Sequence, residues 1–123
     1  MSRDNSKTAV AQRRELHLLN LQQAADGIVA ELRQRTDVQK IILFGSFAAG
    51  TAGSRSDLDL LVVQETKTCF LNRADNLTRN LRPGVALDLL VYTPEEWESL
   101  KLTRSFVAQI AREGRVLYER IAA

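Results

Sequence analysis

A single cysteine, Cys69, leaves no partner for an internal disulfide and removes any Cys-rich metal centre. The one histidine, His17, has no second imidazole nearby, so a histidine-based metal site is discounted. Neither sign of charge prevails: 17 Lys+Arg face 15 Asp+Glu, a net charge of +2. So small a surplus gives no electrostatic argument for a nucleic-acid or membrane partner. No apolar run approaches the roughly 20 residues of a bilayer span. The start, MSRDNSKTAVAQRR, lacks the apolar stretch of a signal peptide. No internal repeat, linker or low-complexity segment interrupts the chain. These absences point to a cytoplasmic protein. What remains is 123 residues, 45% hydrophobic and 26% charged, enough for one globular domain without metal or disulfide staples. Residues 1–8 are polar and expected to be flexible, leaving 9–123 as the domain.

Hydrophobic spacing sets the order of elements. Val10, Leu18, Leu21, Ala25, Ile28 and Leu32 recur at steps of mostly three and four and predict a helix over Ala9–Arg35. Leu16, Leu19 and Val29 widen its apolar stripe, and Gly27 allows a bend. Val38–Phe44 reads as a buried strand ending at Gly45. A tight turn, a short helix around Phe47–Ala49 and a Gly/Ser-rich loop follow. Asp57–Val63 predicts a second strand, Phe70–Leu81 a helix and Val85–Val91 a third strand. Thr93, Pro94 and Glu96 together mark a helix start with a capping box. That helical pattern runs through Ile110 with a break near Thr103–Ser105, Gly114 stops it, and Arg115–Glu119 forms a last strand. The class is α/β, a single mixed sheet of about four strands flanked by helices.

Gly45-Ser46 lies where a strand hands over to a helix, a place where free N–H groups attract phosphate. Ser46 as a plain N-cap explains it equally well. Asp57 and Asp59, two apart on a strand, face one side about 6.6 Å apart along the chain. At about 5 Å two carboxylates repel by about 3 kcal/mol at an effective dielectric of 20. A hard cation with oxygen ligands removes that cost. A solvated turn, or pairing of Asp59 with Arg55, would also remove it. Asp88 is a third acid within the apolar strand VALDLLV, opposite the face of Val85, Leu87, Leu89 and Val91. A charge there calls for a partner, a metal or an edge strand open to water. Three carboxylates can hold two Mg²⁺ ions, the arrangement used in phosphoryl-type displacement.

These residues resemble the minimal nucleotidyltransferases of the DNA polymerase beta-like nucleotidyltransferase superfamily. The pattern of Gly-Ser, Ala-x-Gly, Ser-Asp-x-Asp and a later Asp stands as Gly45-Ser46, Ala48-Ala49-Gly50, Ser56-Asp57-Leu58-Asp59 and Asp88. The resemblance implies the polymerase beta-like fold and transfer of a nucleoside monophosphate, AMP from ATP above all, to a hydroxyl. It implies that Gly45 and Ser46 hold the triphosphate, with Ser56 and Arg55 as further phosphate-binding candidates. Arg55 is the one arginine left in the loop between the two motifs. It implies Asp57, Asp59 and Asp88 as catalytic residues and ligands of two Mg²⁺ ions. Small proteins of this kind resemble the antitoxin half of a pair whose partner is a helical HEPN-type ribonuclease. The acceptor is then a protein or other macromolecule, and the chain leaves room for an oligomer. Two other readings stay open: an inactive subunit that neutralises a partner by binding it, and a small-molecule nucleotidyltransferase. Elsewhere, Cys69 is expected to be a small buried hydrophobe, Trp97 core, and Arg13-Arg14 and Arg33–Arg35 solvated faces.

Overall fold

Alternation along the strands decides which helix covers which face of the sheet. The computed structural model describes residues 5–121, so residues 1–4 of the expected flexible start lie outside it. The element order is α1 (Asn5–Leu32), β1 (Val38–Phe44), α2 (Gly45–Ala49), β2 (Leu58–Gln64), α3 (Phe70–Thr78), β3 (Leu87–Tyr92), α4 (Pro94–Thr103), α5 (Ser105–Glu113) and β4 (Arg115–Glu119). The strands form one mixed sheet in the order β3-β2-β1-β4. β2 and β3 are parallel, and β1 is antiparallel to both β2 and β4.

Ile41 and Leu43 of β1, with Leu58, Leu60 and Val62 of β2, face α1 and α3, where Leu21, Ala25, Ile28, Leu32 and Leu77 complete the larger cluster. Ile42, Leu61 and Val63 point the other way, onto Trp97 of α4 and Val107 and Ile110 of α5. Phe44, Leu90 and Tyr92 border that smaller cluster. Burying a side chain of this size stabilises by about 1.5–3 kcal/mol, so both faces are held chiefly by apolar burial.

α1 starts and ends earlier than its apolar spacing predicts. Asn5–Thr8 contain no Gly or Pro, so nothing halts propagation of the helix into the polar start. It ends at Leu32 because a turn follows, fixed by Arg35 Nε and Nη2 bonding the Asp37 carboxylate at 3.0 and 2.9 Å. Leu16 and Leu19 do not join the buried stripe; each is 60% exposed. α3 also departs from expectation: Leu71 is exposed and Arg73 is buried. The Thr68 and Val91 carbonyls and the Glu96 carboxylate accept its guanidinium N–H groups. Cys69 is exposed at the N-cap of α3 rather than buried. Trp97 is buried as expected.

The helix after β3 opens with the expected capping box. Thr93 accepts from the Glu96 N–H, Glu96 accepts from the Thr93 N–H, and Pro94 leads the first turn. Gly114 ends α5 in an extended rather than left-handed conformation. Glycine is needed there because a Cβ would lie 2.5 Å from Ile42 Cγ2 and 2.6 Å from the Ile110 carbonyl.

Candidate active site

β1, β2 and β3 bring Gly45, Asp59 and Asp88 into a row. Phe44, the residue before Gly45, is the register partner of Asp59. Asp59 is the register partner of Asp88 on the neighbouring strand. By the two-residue period of a strand, Asp59 lies on the α4–α5 side with Leu61 and Val63, and Asp88 lies there with Leu90 and Tyr92. Asp57 stands one residue ahead of β2, outside the strand expected to contain it. Asp57 and Asp88 are exposed and Asp59 is half-buried. β3 is an edge strand, and this is why Asp88 reaches water despite its apolar neighbours.

Asp59 registers the other two acids. Burial pushes its carboxyl above the usual carboxylate range, and the charges of Asp88 and then Asp57 push it further. Among the described residues no ion pair neutralises any of the three. Nor do any three His, Cys, Asp or Glu side chains among the described residues form a ready-made metal cage. The donors are nonetheless all carboxylate oxygens, the set that suits a hard divalent cation, and their mutual repulsion is what such a cation relieves.

Gly45 permits the close approach that completes the row. Its φ is +77°, and a Cβ there would collide with the Asp59 carboxylate, whose Cγ would be 2.8 Å away. Ser46 is not the N-cap. That position falls on Phe44, and no side chain caps α2. Instead the Ser46 carbonyl accepts from the Thr51 N–H at 2.9 Å and from the Thr51 hydroxyl at 3.4 Å. α2 spans little more than one turn, so its free N–H groups rather than a long dipole are what it offers an anion. A cavity of about 640 Å³ opens beside Gly45 and Ser46, walled by Thr51 and by Phe106, Gln109 and Glu113 of α5.

The other two phosphate-binding candidates sit differently. The Ser56 hydroxyl accepts from the Gly53 N–H at 2.8 Å and closes a turn. Arg55 is exposed and lines a depression against α1 with Arg13 and His17, not the cavity at Gly45 and Ser46. Two residues went unread as parts of the site. Arg14, expected to be solvated, donates from Nε to the Ala52 carbonyl at 3.0 Å. His17 Nε2 lies 2.7 Å from the Ser56 carbonyl. No local pattern signals either contact, because each joins residues 38 or 39 positions apart.

The sequence profile described as Polymerase beta, Nucleotidyltransferase matches residues 26–122. The chain belongs to the polymerase beta nucleotidyltransferase family. It is 37% identical over 87 residues to a Methanocaldococcus jannaschii protein named "Putative protein adenylyltransferase", covering 70% of this chain and 84% of that one. Two solved structures share the fold. One, a "putative nucleotidyltransferase" from Sulfolobus solfataricus, superposes with a TM-score of 0.56 at 17% identity, over 90% of this chain and 87% of that one. The other is a toxin-antitoxin structure with AMP-PNP, with a TM-score of 0.50 at 21% identity, over 79% of this chain and 72% of that one. The enzyme class is therefore nucleotidyltransferase, and the four-stranded mixed sheet with flanking helices is the polymerase beta-like fold. No helix among the described residues is long and apolar enough to cross a membrane.

Proposed function

We propose that this nucleotidyltransferase moves AMP from ATP to a hydroxyl of a protein, and that it serves as the antitoxin of a toxin–antitoxin pair. The observation that carries the reading is the row of Gly45, Asp59 and Asp88, with Asp57 at its head and no cation beside it among the described residues. The name of the M. jannaschii relative supports a protein acceptor and an adenylyl donor. The toxin-antitoxin structure with AMP-PNP supports the nucleotide and a partner protein. In this reading residues 9–123 act as one cytoplasmic domain, and the partner is a HEPN-type protein.

Each group has a role in the chemistry. Gly45 and Ser46 hold the triphosphate, through N–H groups and a hydroxyl that α2 does not use as a cap. Asp57, Asp59 and Asp88 hold two Mg²⁺ ions. Bound there, Mg²⁺ supplies charge neutralisation at the phosphate and lowers the pKa of an oxygen it ligates. Asp88 helps remove the proton of the incoming hydroxyl, and its exposure on the edge strand supports that role. The hydroxyl oxygen bonds to the α-phosphorus, the bond to the bridging oxygen breaks, and pyrophosphate leaves. Positioning and charge stabilisation supply most of the rate.

Incubation with labelled ATP, Mg²⁺ and candidate partner proteins tests this. Label is expected to pass to the partner in the wild type and to fail with Asp57→Asn and Asp59→Asn. Transfer that survives both substitutions overturns the site. A second reading has an observation in its favour: among the described residues no arginine or lysine lines the cavity at Gly45 and Ser46. In that reading the acids are inherited and neutralisation works by complex formation alone. Inhibition of the partner that Asp88→Asn leaves intact, with no label transferred, favours it.

A further inference from the structure

The first of the three carboxylates sits on the least regular part of the site. Between Gly50 and Leu58 the chain forms neither helix nor strand. Its own bonds close one small turn, from the Ser56 N–H to the Gly53 carbonyl at 3.3 Å and from the Gly53 N–H to the Ser56 hydroxyl at 2.8 Å. Two further bonds reach this loop from α1. Arg14 Nε donates to the Ala52 carbonyl at 3.0 Å, and His17 Nε2 lies 2.7 Å from the Ser56 carbonyl. Arg14 and His17 are three apart on one helix, so they share a face, and they take the carbonyls at the two ends of the turn. A carbonyl only accepts, so the His17 ring carries its proton on Nε2.

The Ser56 carbonyl belongs to the planar peptide that ends in the Asp57 N–H. Fixing that oxygen fixes the plane before Asp57, and the Leu58 N–H, bonded to the Ala86 carbonyl at 2.9 Å, fixes the plane after it, so the Asp57 Cα is held from both sides. Asp57 is also the member of the acid row that no strand holds. The like charge of Asp59 repels it, and the two bonds from α1 oppose that movement.

We propose that Arg14 and His17 are positioning residues that hold Asp57 in line with Asp59 and Asp88. Neither donor is offered to substrate; both act through the loop. The activity readout of this inference rests on the nucleotidyltransfer reading, and two other readouts do not. In nitrogen NMR of the full chain, the His17 ring is expected to be protonated on Nε2. His17→Ala is expected to speed amide exchange at Leu58, whose N–H bonds the Ala86 carbonyl, roughly tenfold, with Arg14→Ala acting on Gly53 in the same direction. In the transfer assay His17→Ala is expected to raise the Mg²⁺ concentration for half-maximal rate roughly tenfold, while the rate at saturating Mg²⁺ falls less. His17→Gln is expected to restore both, because its amide N–H reaches the same carbonyl. An unprotonated Nε2, or unchanged exchange at Leu58 in His17→Ala, overturns the proposal. So does loss of transfer in His17→Ala and His17→Gln alike, in step with the melting temperature. If the wild type labels no acceptor, the proposed function falls, and ring protonation and exchange still decide the clamp.

Discussion

Arg73 and Asp59 are both ionic side chains drawn in against the sheet, and their surroundings are opposite. The Arg73 guanidinium is met on every side. Nε bonds the Thr68 carbonyl at 2.8 Å, Nη1 the Val91 carbonyl at 3.3 Å, and Nη1 and Nη2 the two Glu96 oxygens at 2.6 and 3.4 Å. Asp59 has two further carboxylates for neighbours and, among the described residues, no ion-pairing cation. The fold can thus neutralise a charge that it buries, and in the acid row it does not. Repulsion left standing in a folded protein makes such a place a functional-site candidate.

The largest effect expected from breaking that contrast lies in the row itself. Asp57→Asn and Asp59→Asn are each expected to cut label transfer by at least about a thousandfold, near 4 kcal/mol of barrier. Asp59→Asn should at the same time raise the urea midpoint, a gain in stability of up to about 1 kcal/mol, because it removes a like charge. A lower midpoint would break the comparison. At the other pole, Glu96→Ala leaves the Arg73 guanidinium buried without its partner and removes half of the capping box. Urea unfolding should show a loss of about 2–3 kcal/mol, with transfer per folded molecule unchanged. Gly45→Ala strains a positive φ and pushes a methyl group into the Asp59 carboxylate. A loss of about 1–2 kcal/mol is expected, with transfer reduced more than tenfold.

Acid titration gives the smallest effect and separates the two regions by sign. The Arg73 guanidinium holds the Glu96 carboxyl below the usual carboxylate range, with the Thr93 N–H adding to it. The stability it contributes is complete above the ordinary carboxylate pKa and is lost as the pH falls through the lowered value. The Asp59 carboxyl is raised instead, so the folded state keeps its proton longer than the unfolded chain does. Stability should therefore fall as the pH rises from the ordinary carboxylate value through the raised one. Comparing Asp59→Asn and Glu96→Gln across acid pH by thermal unfolding isolates the two slopes, and equal signs would overturn the assignment.

What the sequence discloses follows the distance over which each contact acts. Thr93, Pro94 and Glu96 lie within one turn, so their cap is readable from spacing alone. That Asp59 and Asp88 stand on strands was legible, because the apolar alternation of LDLLVV and VALDLLV carries them. The exposure of Asp88 was not, because only the strand order makes β3 an edge. The burial of Arg73 has no signal within its own helix, since its partners come from the loop before α3, from β3 and from α4. Arg14 is exposed, as expected, but its bond to the Ala52 carbonyl has no local signal. Leu16 and Leu19 matched a helical stripe, but both are exposed and stand outside the core cluster that Leu21, Ala25, Ile28 and Leu32 join.

The sheet order carries a consequence for how the chain comes together. β1 lies between β2 and β4, so one of its edges stays open until Arg115–Glu119 has paired with Lys40–Leu43. Until then VQKIILF, with its three consecutive aliphatic residues, is a bare template for intermolecular β-pairing. A stalled or clipped polypeptide that stops short of Arg115 would accordingly aggregate through this strand, even with every residue of the acid row in place.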